Sequence, residues 1–340
     1  MQKKYLRWIV YLVGLLVLLV ASVILSLSVG EMNLGFSDIF SILSQGNDSM
    51  EYTILSQIRA PRILLGIAVG GALSLSGILL QGVYRNPLVE PYTLGISGGA
   101  SLGVAFAIVF GLHQLIGSFV LPLTGFMGAF LIIFLVYTIS TRSGRINIQS
   151  MLLTGVMVSF IASSSMMLLM ATTSSENLHG IVFWIMGSLD EPDRSLIYIT
   201  LVMSLVSLAA SYFFVQPLNA LRLGEEKAKQ LGINTDTTIK LLFLLASLLA
   251  GVCVAVAGVI GFVGLIIPHL MRLLAGSDYR ILLVSSFLSG SIFLVLSDVI
   301  ARTIISPNEL PIGVITGIIG GVLFLLMMSR SSYRTLKNNG

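Results

Sequence analysis

The sequence predicts an all-α membrane protein, a polytopic bundle of about ten transmembrane helices in one domain. Of its 340 residues, 56% are hydrophobic and only 10% are charged. A water-soluble globule of this length needs more polar side chains to cover its surface. The apolar runs are about 20 residues long, which is the length of a membrane-spanning helix and about twice that of a barrel strand.

The predicted spans form a single transmembrane domain over residues 1–340. The first run follows Lys3, Lys4 and Arg7 and has no small-residue cleavage pattern at its end, so we expect a retained span and not a signal peptide. The eighth run is interrupted by Pro268. The ten spans lie near residues 8–29, 61–83, 92–111, 118–140, 148–170, 194–215, 239–257, 259–275, 280–302 and 311–330.

Lysine and arginine residues indicate which side of the membrane each connection occupies. An even number of spans puts both termini on one side, and with the termini inside, the inside segments hold 15 of the 19 basic residues. The outside segments hold Arg59, Arg62, Arg194 and Arg302. Because cytoplasmic segments are enriched in Lys and Arg, both termini are predicted to be cytoplasmic. Omitting the eighth span would reverse everything before it relative to everything after it.

Catalytic, metal and nucleotide sites are not predicted. The sequence has no GxxxxGK(S/T) phosphate loop, so we expect no ATP hydrolysis by this chain itself. The three histidines, His113, His179 and His269, have no ligand companion at helical spacing, and the single cysteine, Cys253, lies mid-span. We therefore expect no enzyme activity, no metal site and no cofactor. The net charge of +4 is attributed to topology and not to a nucleic-acid partner.

Charged residues gather at the predicted outer ends of two spans. Arg59 and Arg62 flank Pro61, a residue suited to a first helical turn. Asp298 and Arg302 stand four residues apart near the outer end of the ninth span. Two interpretations are open: Asp298 and Arg302 form only a local ion pair, or the three arginines form an outward cationic patch for an acidic partner.

The connection between the second and third spans, Arg85–Pro91, reads RNPLVEP. Two prolines four residues apart prevent a continuous helix and leave backbone groups that protein or a water-filled cavity must satisfy. We interpret this inside segment as a cytoplasmic constriction, with a simple turn as the alternative.

The longest inside connection, the loop 216–238, has one apolar and one charged face. Gly224 breaks the pattern and Gly232 ends it, which favours two short amphipathic helices joined at a glycine. A partner protein, or the membrane surface, is expected to cover the apolar face. Its residues are Leu221, Leu223, Ala228, Leu231 and Ile233.

Six segments carry a family resemblance over nearly the whole chain. They are RAPRILLGIAVGGALSLSGILLQGVYRNPLVEPYTLGISGGASLG (Arg59–Gly103), FWIMGSL (Phe183–Leu189), LRLGEEKAKQLGI (Leu221–Ile233), GFVGLIIPHLMRLLAGSDYRILL (Gly261–Leu283), SDVIAR (Ser297–Arg302) and ELPIGVITGIIGGVLF (Glu309–Phe324). Together they resemble the FecCD family of ABC importer permeases, which carry iron–siderophore complexes, haem or cobalamin. One departure is Ser297, where the family often has alanine.

The resemblance implies a type II ABC importer permease with named roles for several residues. The implied partners are a second, identical or paralogous permease subunit, a cytoplasmic ABC ATPase dimer, an extracytoplasmic binding protein and membrane lipid. Binding-protein docking falls on Arg59, Arg62 and Arg302. The cytoplasmic gate falls on Asn86, Pro87 and Leu88. Pathway lining falls on Thr154, Met157, Ser159 and Ser163. ATPase contact falls on Leu221, Leu223, Gly224, Glu226, Ala228, Leu231 and Gly232.

We therefore expect the membrane subunit of an ATP-driven importer of an iron(III)–siderophore in a prokaryotic cytoplasmic membrane. Haem and cobalamin are the alternatives within the family. An ion-coupled secondary transporter is the alternative from another class, and it needs a carboxylate near mid-membrane. Only Asp298 is a candidate, and it lies close to a span end. An intramembrane enzyme would need paired His, Asp or Glu residues at bilayer depth, which the predicted spans lack.

Overall fold

The structure, a computed structural model, describes residues 2–30, 35, 42, 49–117, 119–142, 145–306 and 308–338. The described chain is a helix bundle with one short β-pair, Thr141–Arg142 with Arg145–Ile146. Its helices are α1 (Gln2–Ser28), α2 (Met50–Tyr84), α3 (Ile96–Val109), α4 (Leu112–Ile116), α5 (Val120–Ser140), α6 (Ile148–Thr172), α7 (Ser175–Met186), α8 (Arg194–Ser211), α9 (Val215–Leu221), α10 (Glu225–Gln230), α11 (Thr235–Ala257), α12 (Val263–Ala275), α13 (Tyr279–Thr303) and α14 (Ile312–Asn338).

Each predicted span coincides with a helix, but two of these helices are short. Eight helices in the described chain are long and apolar enough to cross a membrane, whereas α3 has 14 residues and α12 has 13. At about 1.5 Å per residue, neither reaches across about 30 Å of hydrocarbon. The predicted spans 92–111 and 259–275 are therefore longer than the α-helices they contain. A 3-10 turn, Pro91–Leu94, precedes α3, and a non-helical stretch, 258–262, precedes α12.

Helix α2 is the centre of the bundle, since 89% of the residues in its most apolar stretch are buried inside the protein. Two glycines let neighbouring helices approach its backbone. A Cβ atom at Gly70 would collide with the carbonyl oxygen of Gly290 in α13, and one at Gly77 would collide with that of Gly264 in α12. Close backbone packing of this kind is what associates helices in lipid, where hydrophobic burial gives no driving force.

The start of α2 differs from the predicted boundary at Pro61. The helix extends back to Met50, and Ile54–Arg59 form a π-helical turn. This wider turn is closed by a hydrogen bond from the Ala60 N–H to the Leu55 carbonyl. Proline has no N–H and its ring crowds the carbonyl four residues earlier, so the wider turn is what lets it lie inside a continuous helix.

Two unwound segments meet inside the bundle. One, residues 85–95, precedes α3, and the other precedes α12. The Tyr92 hydroxyl accepts a hydrogen bond from the Ile260 N–H at 3.2 Å, and the Glu90 carboxylate accepts one from the Phe262 N–H. Side chains of one segment thus satisfy backbone donors of the other, which would be costly to leave unpaired at membrane depth.

The unwound segments lie about 10 Å inside the bundle. Gly264, at the start of α12, contacts Gly77, which lies seven residues before the end of α2 at Tyr84. Leu94 contacts Gly155, which lies seven residues after the start of α6. Seven residues of helix span about 10 Å. The RNPLVEP connection is therefore more than a surface hairpin, because it turns at the end of α2 and then returns into the bundle as irregular chain and a short 3-10 turn.

A side chain of α2 repairs the helix break caused by Pro268 in α12. Proline cannot donate to the Gly264 carbonyl four residues earlier. Instead, Gln81 Nε2 donates to the carbonyls of Gly264 at 3.2 Å and Leu265 at 3.3 Å. Gln81 Oε1 accepts a hydrogen bond from Arg272 Nη1 at 2.5 Å. The buried Gln81 amide therefore supplies the donor that Pro268 lacks, and it also holds the Arg272 side chain in position.

The bundle has two ends that we name by the residues they hold. The proximal end contains the start of α1, the turn 85–89 and the helices α9 and α10. The distal end contains Arg59, α7 and the start of α14. Asparagine caps start two long helices at the proximal end: Asn147 Oδ1 accepts from the Ser150 N–H at 2.9 Å for α6, and Asn234 does the same for α11.

Candidate functional site

Helices α2 and α13 bring three distal arginines together, and we name Arg59, Arg62 and Arg302 the arginine cluster. Arg62 Nε lies 2.7 Å from Asp298 Oδ1, and Arg302 Nε lies 3.0 Å from Asp298 Oδ2. Arg62 Nη1 also lies 2.7 Å from Glu309 Oε2. The local pair of Asp298 with Arg302 is thus confirmed, and the same carboxylate bridges to a second helix.

Protein covers the arginine cluster. The side chains of Arg62 and Arg302 are each only 8% exposed. Arg302 Nη2 donates to Ser26 Oγ at 2.9 Å, and Arg59 donates to the Leu27 carbonyl, so α1 closes one side of the cluster. The expectation of an open, outward cationic patch is therefore corrected. The three residues do converge, but their guanidinium groups already have partners within the chain.

Glu309 joins the arginine cluster to a distal cavity. Its side chain is 49% exposed, and with Arg62 it lines a cavity of about 550 Å³. The walls come mainly from α7 and the start of α14, and they include the rings of Phe183 and Trp184 and the carboxylate of Glu176. This volume falls within the range of about 300 to 1,000 Å³ that is typical of ligand pockets. The distal end therefore offers an amphipathic recess beside the arginines.

The predicted gate residues form a compact turn at the proximal end. Asn86 Oδ1 accepts from the Leu88 N–H at 2.9 Å, and the Asn86 carbonyl accepts from the Val89 N–H at 3.4 Å. Arg85 precedes them with φ of +50°, a left-handed cap at the end of α2. Pro87 and Leu88 are exposed. Asn86 thus shapes the turn, and the Leu88 side chain stands clear of the core of this chain.

The predicted pathway residues all lie on α6 but do not share one face. At about 100° per residue, Thr154 and Met157 lie on one side of the helix, and Ser159 and Ser163 lie on the other. Met157 is exposed. Ser159 packs within the chain, because its Oγ lies 3.4 Å from the position of a Cβ at Gly98 in α3. A single surface of α6 therefore cannot present all four side chains.

The predicted amphipathic pair is confirmed as α9 and α10, joined at Gly224, whose φ is +110°. Leu221 and Ala228 are buried in the core of the chain itself. Leu223 and Leu231 are exposed. The expectation that a partner or the membrane must cover the whole apolar face is therefore corrected, because the chain covers part of it and leaves two leucines exposed.

The end of α10 has a backbone geometry that requires glycine. Gly232 has φ of +83°. Its N–H bonds the Lys229 carbonyl at 3.0 Å, and the Ile233 N–H bonds the Ala228 carbonyl at 3.1 Å, the pattern of a Schellman cap. Glu226, another predicted contact residue, is exposed on the same short helix. Gly232 therefore ends the amphipathic pattern, as predicted, because the cap requires a residue with positive φ.

Three functional positions were missed by sequence reasoning. Gln81 is an amide within an apolar span, a pattern that signals a structural or functional role at membrane depth. Glu90 is a carboxyl residue within the RNPLVEP connection, and it accepts a hydrogen bond from the Phe262 N–H. Glu309 follows its partner Arg62 by more than two hundred residues, so no local pattern could reveal the pair. Among the described residues, no cluster of three or more His, Cys, Asp or Glu side chains could hold a metal ion.

This arrangement of long helices around a central α2, with two helices starting inside the bundle, defines a membrane permease of the type II ABC importer class. A solved inward-facing structure of a metal-chelate type ABC transporter superposes with a TM-score of 0.84 and 34% sequence identity, covering 94% of this chain and 98% of that one. The model of the FecCD transport family matches residues 18–330. The chain belongs to this family.

Named relatives carry two different cargoes. The hemin transport system permease HmuU of Yersinia pestis is 36% identical, with 93% of this chain and 94% of HmuU aligned. The vitamin B12 import system permease BtuC of Klebsiella pneumoniae is 37% identical, with 98% of this chain and 96% of BtuC aligned. The chain is thus similar, at nearly equal identity, to permeases for two chemically different metal chelates.

Proposed function

We propose that this permease is the membrane subunit of an ATP-driven importer whose cargo is an iron(III)–siderophore complex. The observation that carries this proposal is the likeness of the whole fold to a metal-chelate type ABC transporter. The distal cavity supports it, because an aromatic wall beside charged groups suits a large chelate that presents both apolar and polar surface.

In this proposal the proximal end is cytoplasmic and holds both termini. The excess of basic residues in the proximal segments supports that orientation. The ATPase dimer contacts the α9–α10 pair, where Leu223 and Leu231 offer exposed apolar side chains at an otherwise charged surface. A second permease subunit, identical or paralogous, completes the membrane domain.

A binding protein docks at the distal end in the same scheme. Because Asp298 is buried between two arginines, acidic side chains of the binding protein reach Arg62 from the side of Glu309, its half-exposed partner, and displace that carboxylate. Docking then adds negative charge to a cluster with three arginines and two carboxylates. Such an interaction weakens as salt screens it.

Transmission from the ATPase to the gate has a short route. Arg85 Nη1 lies 3.7 Å from the position of a Cβ at Gly224, between α9 and α10. Arg85 immediately precedes the turn formed by Asn86, Pro87 and Leu88. A displacement of the helix pair therefore reaches the proposed gate through one contact.

Uptake measurements test the proposal directly. Proteoliposomes with this permease, its ATPase and its binding protein should accumulate radiolabelled ferric siderophore only with ATP inside the ATPase-facing compartment. Leu223→Glu with Leu231→Glu should abolish coupled uptake, whereas Leu115→Glu, at an exposed leucine of the distal end, should not. ATP-independent uptake driven by an ion gradient would contradict the importer assignment.

The same assay separates the alternatives. Haem and cobalamin remain candidate cargoes because of the relatives that transport hemin and vitamin B12. ATP-dependent uptake of labelled haem or cobalamin, with no uptake of ferric siderophore, would replace the proposed cargo and leave the importer class intact. Ion coupling through Asp298 is disfavoured, because that carboxylate is paired with two arginines near a helix end.

A further inference from the structure

We propose that a cationic cavity at the proximal end is a binding site for a phosphate-class anion, supplied by an anionic phospholipid headgroup or by free phosphate. The cavity has a volume of about 430 Å³ and lies between α2, α12 and the start of α13. Arg85, Arg222 and Arg272 line it together with His269. The inference goes beyond the proposed transport function and does not depend on the identity of the cargo.

The three arginines come from separate elements and converge without a counter-charge. Arg85 caps α2, Arg222 follows α9, and Arg272 belongs to the last turn of α12. Within the described part of the chain, no carboxylate lines the cavity. Three guanidinium groups that share a recess repel one another, so a bound anion would stabilise this arrangement.

Acidic side chains lie near the cavity on two sides. Glu225 and Glu226 line a neighbouring recess that includes Arg85, and Glu225 pairs with Lys229. Asp278 accepts from Lys4 Nζ and from Asn219, each at 3.3 Å, and caps α13. Burial raises the pKa of Asp278. The hydrogen bonds from Lys4, Asn219 and the Arg280 N–H have the larger, opposite effect, so the pKa of Asp278 lies below its usual value. Asp278 therefore serves its helix end, and it does not line the cavity.

Neutral acceptors hold two of the guanidinium groups in place. Arg272 Nη1 bonds Gln81 Oε1 at 2.5 Å, and Arg222 Nη1 bonds the Ser277 carbonyl at 2.6 Å. Each contact uses one of the five N–H donors of an arginine and leaves its charge uncompensated. Pre-positioned guanidinium groups with free donors match the oxygen geometry of phosphate.

The position of the cavity favours a lipid headgroup as the source. It lies where α2 and α12 end, at the proximal end of the bundle. Leu273 lines it and is 62% exposed, and Leu274 beside it is also exposed, so the cationic wall continues into an apolar surface suited to acyl chains. Basic pockets between transmembrane helices on the cytoplasmic side bind anionic headgroups in this way.

The test uses the purified full-length chain in nanodiscs of phosphatidylcholine with or without phosphatidylglycerol. Retained phosphatidylglycerol is measured by mass spectrometry, and the thermal midpoint is measured with and without inorganic phosphate. The variant Arg85→Gln with Arg222→Gln removes two exposed cavity charges, and Arg280→Gln is the matched control, an exposed proximal arginine outside the cavity. Elution as a single species shows that each variant is folded.

We expect wild type and Arg280→Gln to retain phosphatidylglycerol, and the double variant to bind it about 25-fold more weakly, at about fivefold per arginine. A midpoint raised by inorganic phosphate in pure phosphatidylcholine, and lost in the double variant, would support the site with free phosphate as its source. Equal behaviour of the double variant and the control would overturn the proposal. The proposal would also be overturned if the wild-type chain bound neither phosphatidylglycerol nor inorganic phosphate and the double variant bound the ATPase more weakly. That result would assign the cavity to an acidic side chain of the ATPase.

Discussion

The arginines at the two ends of this permease differ in whether they have acidic partners. At the distal end, Asp298 and Glu309 already pair with the arginine cluster. At the proximal end, Arg222 and Arg272 of the cationic cavity donate to neutral acceptors, and no carboxylate in the described chain lines that recess. The acidic residues nearest to Arg85, Glu225 and Glu226, line a neighbouring recess. Positive charge in a sequence therefore does not identify a docking surface, because only the folded chain shows which charges are already compensated.

The largest expected effect comes from removing the shared carboxylate of the arginine cluster. Asp298→Asn keeps the side-chain shape but removes the carboxylate that Arg62 and Arg302 share. Arg302 then has no acidic partner among the described residues and Arg62 has only Glu309, so we expect a loss of about 3 to 5 kcal/mol of unfolding free energy. Denaturant unfolding in detergent micelles measures it. Asp190→Asn, at an exposed distal aspartate, should change little. A loss no larger than that of the control would mean that the cluster tolerates unpaired charge, and the contrast between the ends would disappear.

A second variant places a carboxylate beside an arginine of the proximal cavity, as Asp298 and Glu309 do at the distal end. Gln81→Glu places a carboxylate on Arg272 and removes the amide donors to the Gly264 and Leu265 carbonyls. We expect a stability loss of about 1 to 3 kcal/mol from the unsatisfied carbonyls. We also expect about fivefold weaker retention of anionic lipid, because one cavity charge is neutralised.

Thermal unfolding and lipid retention, measured on the same preparation, check the two parts of this prediction separately. Gln81→Met serves as the control, since it removes the donors without adding charge. Stronger lipid retention in Gln81→Glu than in Gln81→Met would contradict the electrostatic account.

A third variant asks whether backbone geometry, and not charge, holds the proximal helix pair. Gly232→Ala forces a Cβ into a left-handed conformation, at a cost of about 1 to 2 kcal/mol. We expect α10 to loosen at its end and coupled ATP hydrolysis to fall, while membrane insertion is unchanged. Hydrogen exchange of the 225–233 backbone and the ATPase rate of the assembled transporter measure the two effects. Gly14→Ala in α1, where nothing lies within 4 Å of the added Cβ, is the neutral comparison.

The smallest effect is expected at Glu309, the second carboxylate that pairs with the arginine cluster. Glu309→Gln removes the half-exposed carboxylate, so we expect a stability loss below about 1 kcal/mol, in contrast to Asp298→Asn. The same unfolding assay at low and high salt measures it. A loss as large as that of Asp298→Asn would show that burial does not separate the two carboxylates.

Hydropathy and turn residues were sufficient to predict much of the fold. The long apolar runs locate the helices, and the glycines at 224 and 232 locate the ends of the α9–α10 pair. The starts of the short helices α3 and α12 were not predicted. The prolines at 87, 91 and 268 mark interruptions, but they do not show that the chain before each helix lies inside the bundle. The hydrogen bonds that make such chain tolerable, from Ile260 to Tyr92 and from Phe262 to Glu90, join residues far apart in sequence.

For the candidate sites, the sequence identified residues but not their surroundings. The residues of the arginine cluster and the gate turn could be chosen from local motifs. Their exposure could not, because the partners of Arg62 and Arg302 come from α1 and from the segment before α14. Likewise, the proximal arginines had been counted only as topology markers, and their convergence depends on the packing of α12 against α2.

The hydrogen bond between Glu90 and Phe262 has an electrostatic consequence. Helix α12 starts about 10 Å inside the bundle, and the start of any α-helix carries a partial positive charge of about half an elementary unit from its aligned peptide dipoles. Water normally solvates that charge at a surface. Here the Glu90 carboxylate accepts from the backbone at this terminus, so the RNPLVEP segment supplies the counter-pole of a helix dipole that would otherwise end in a low-dielectric interior.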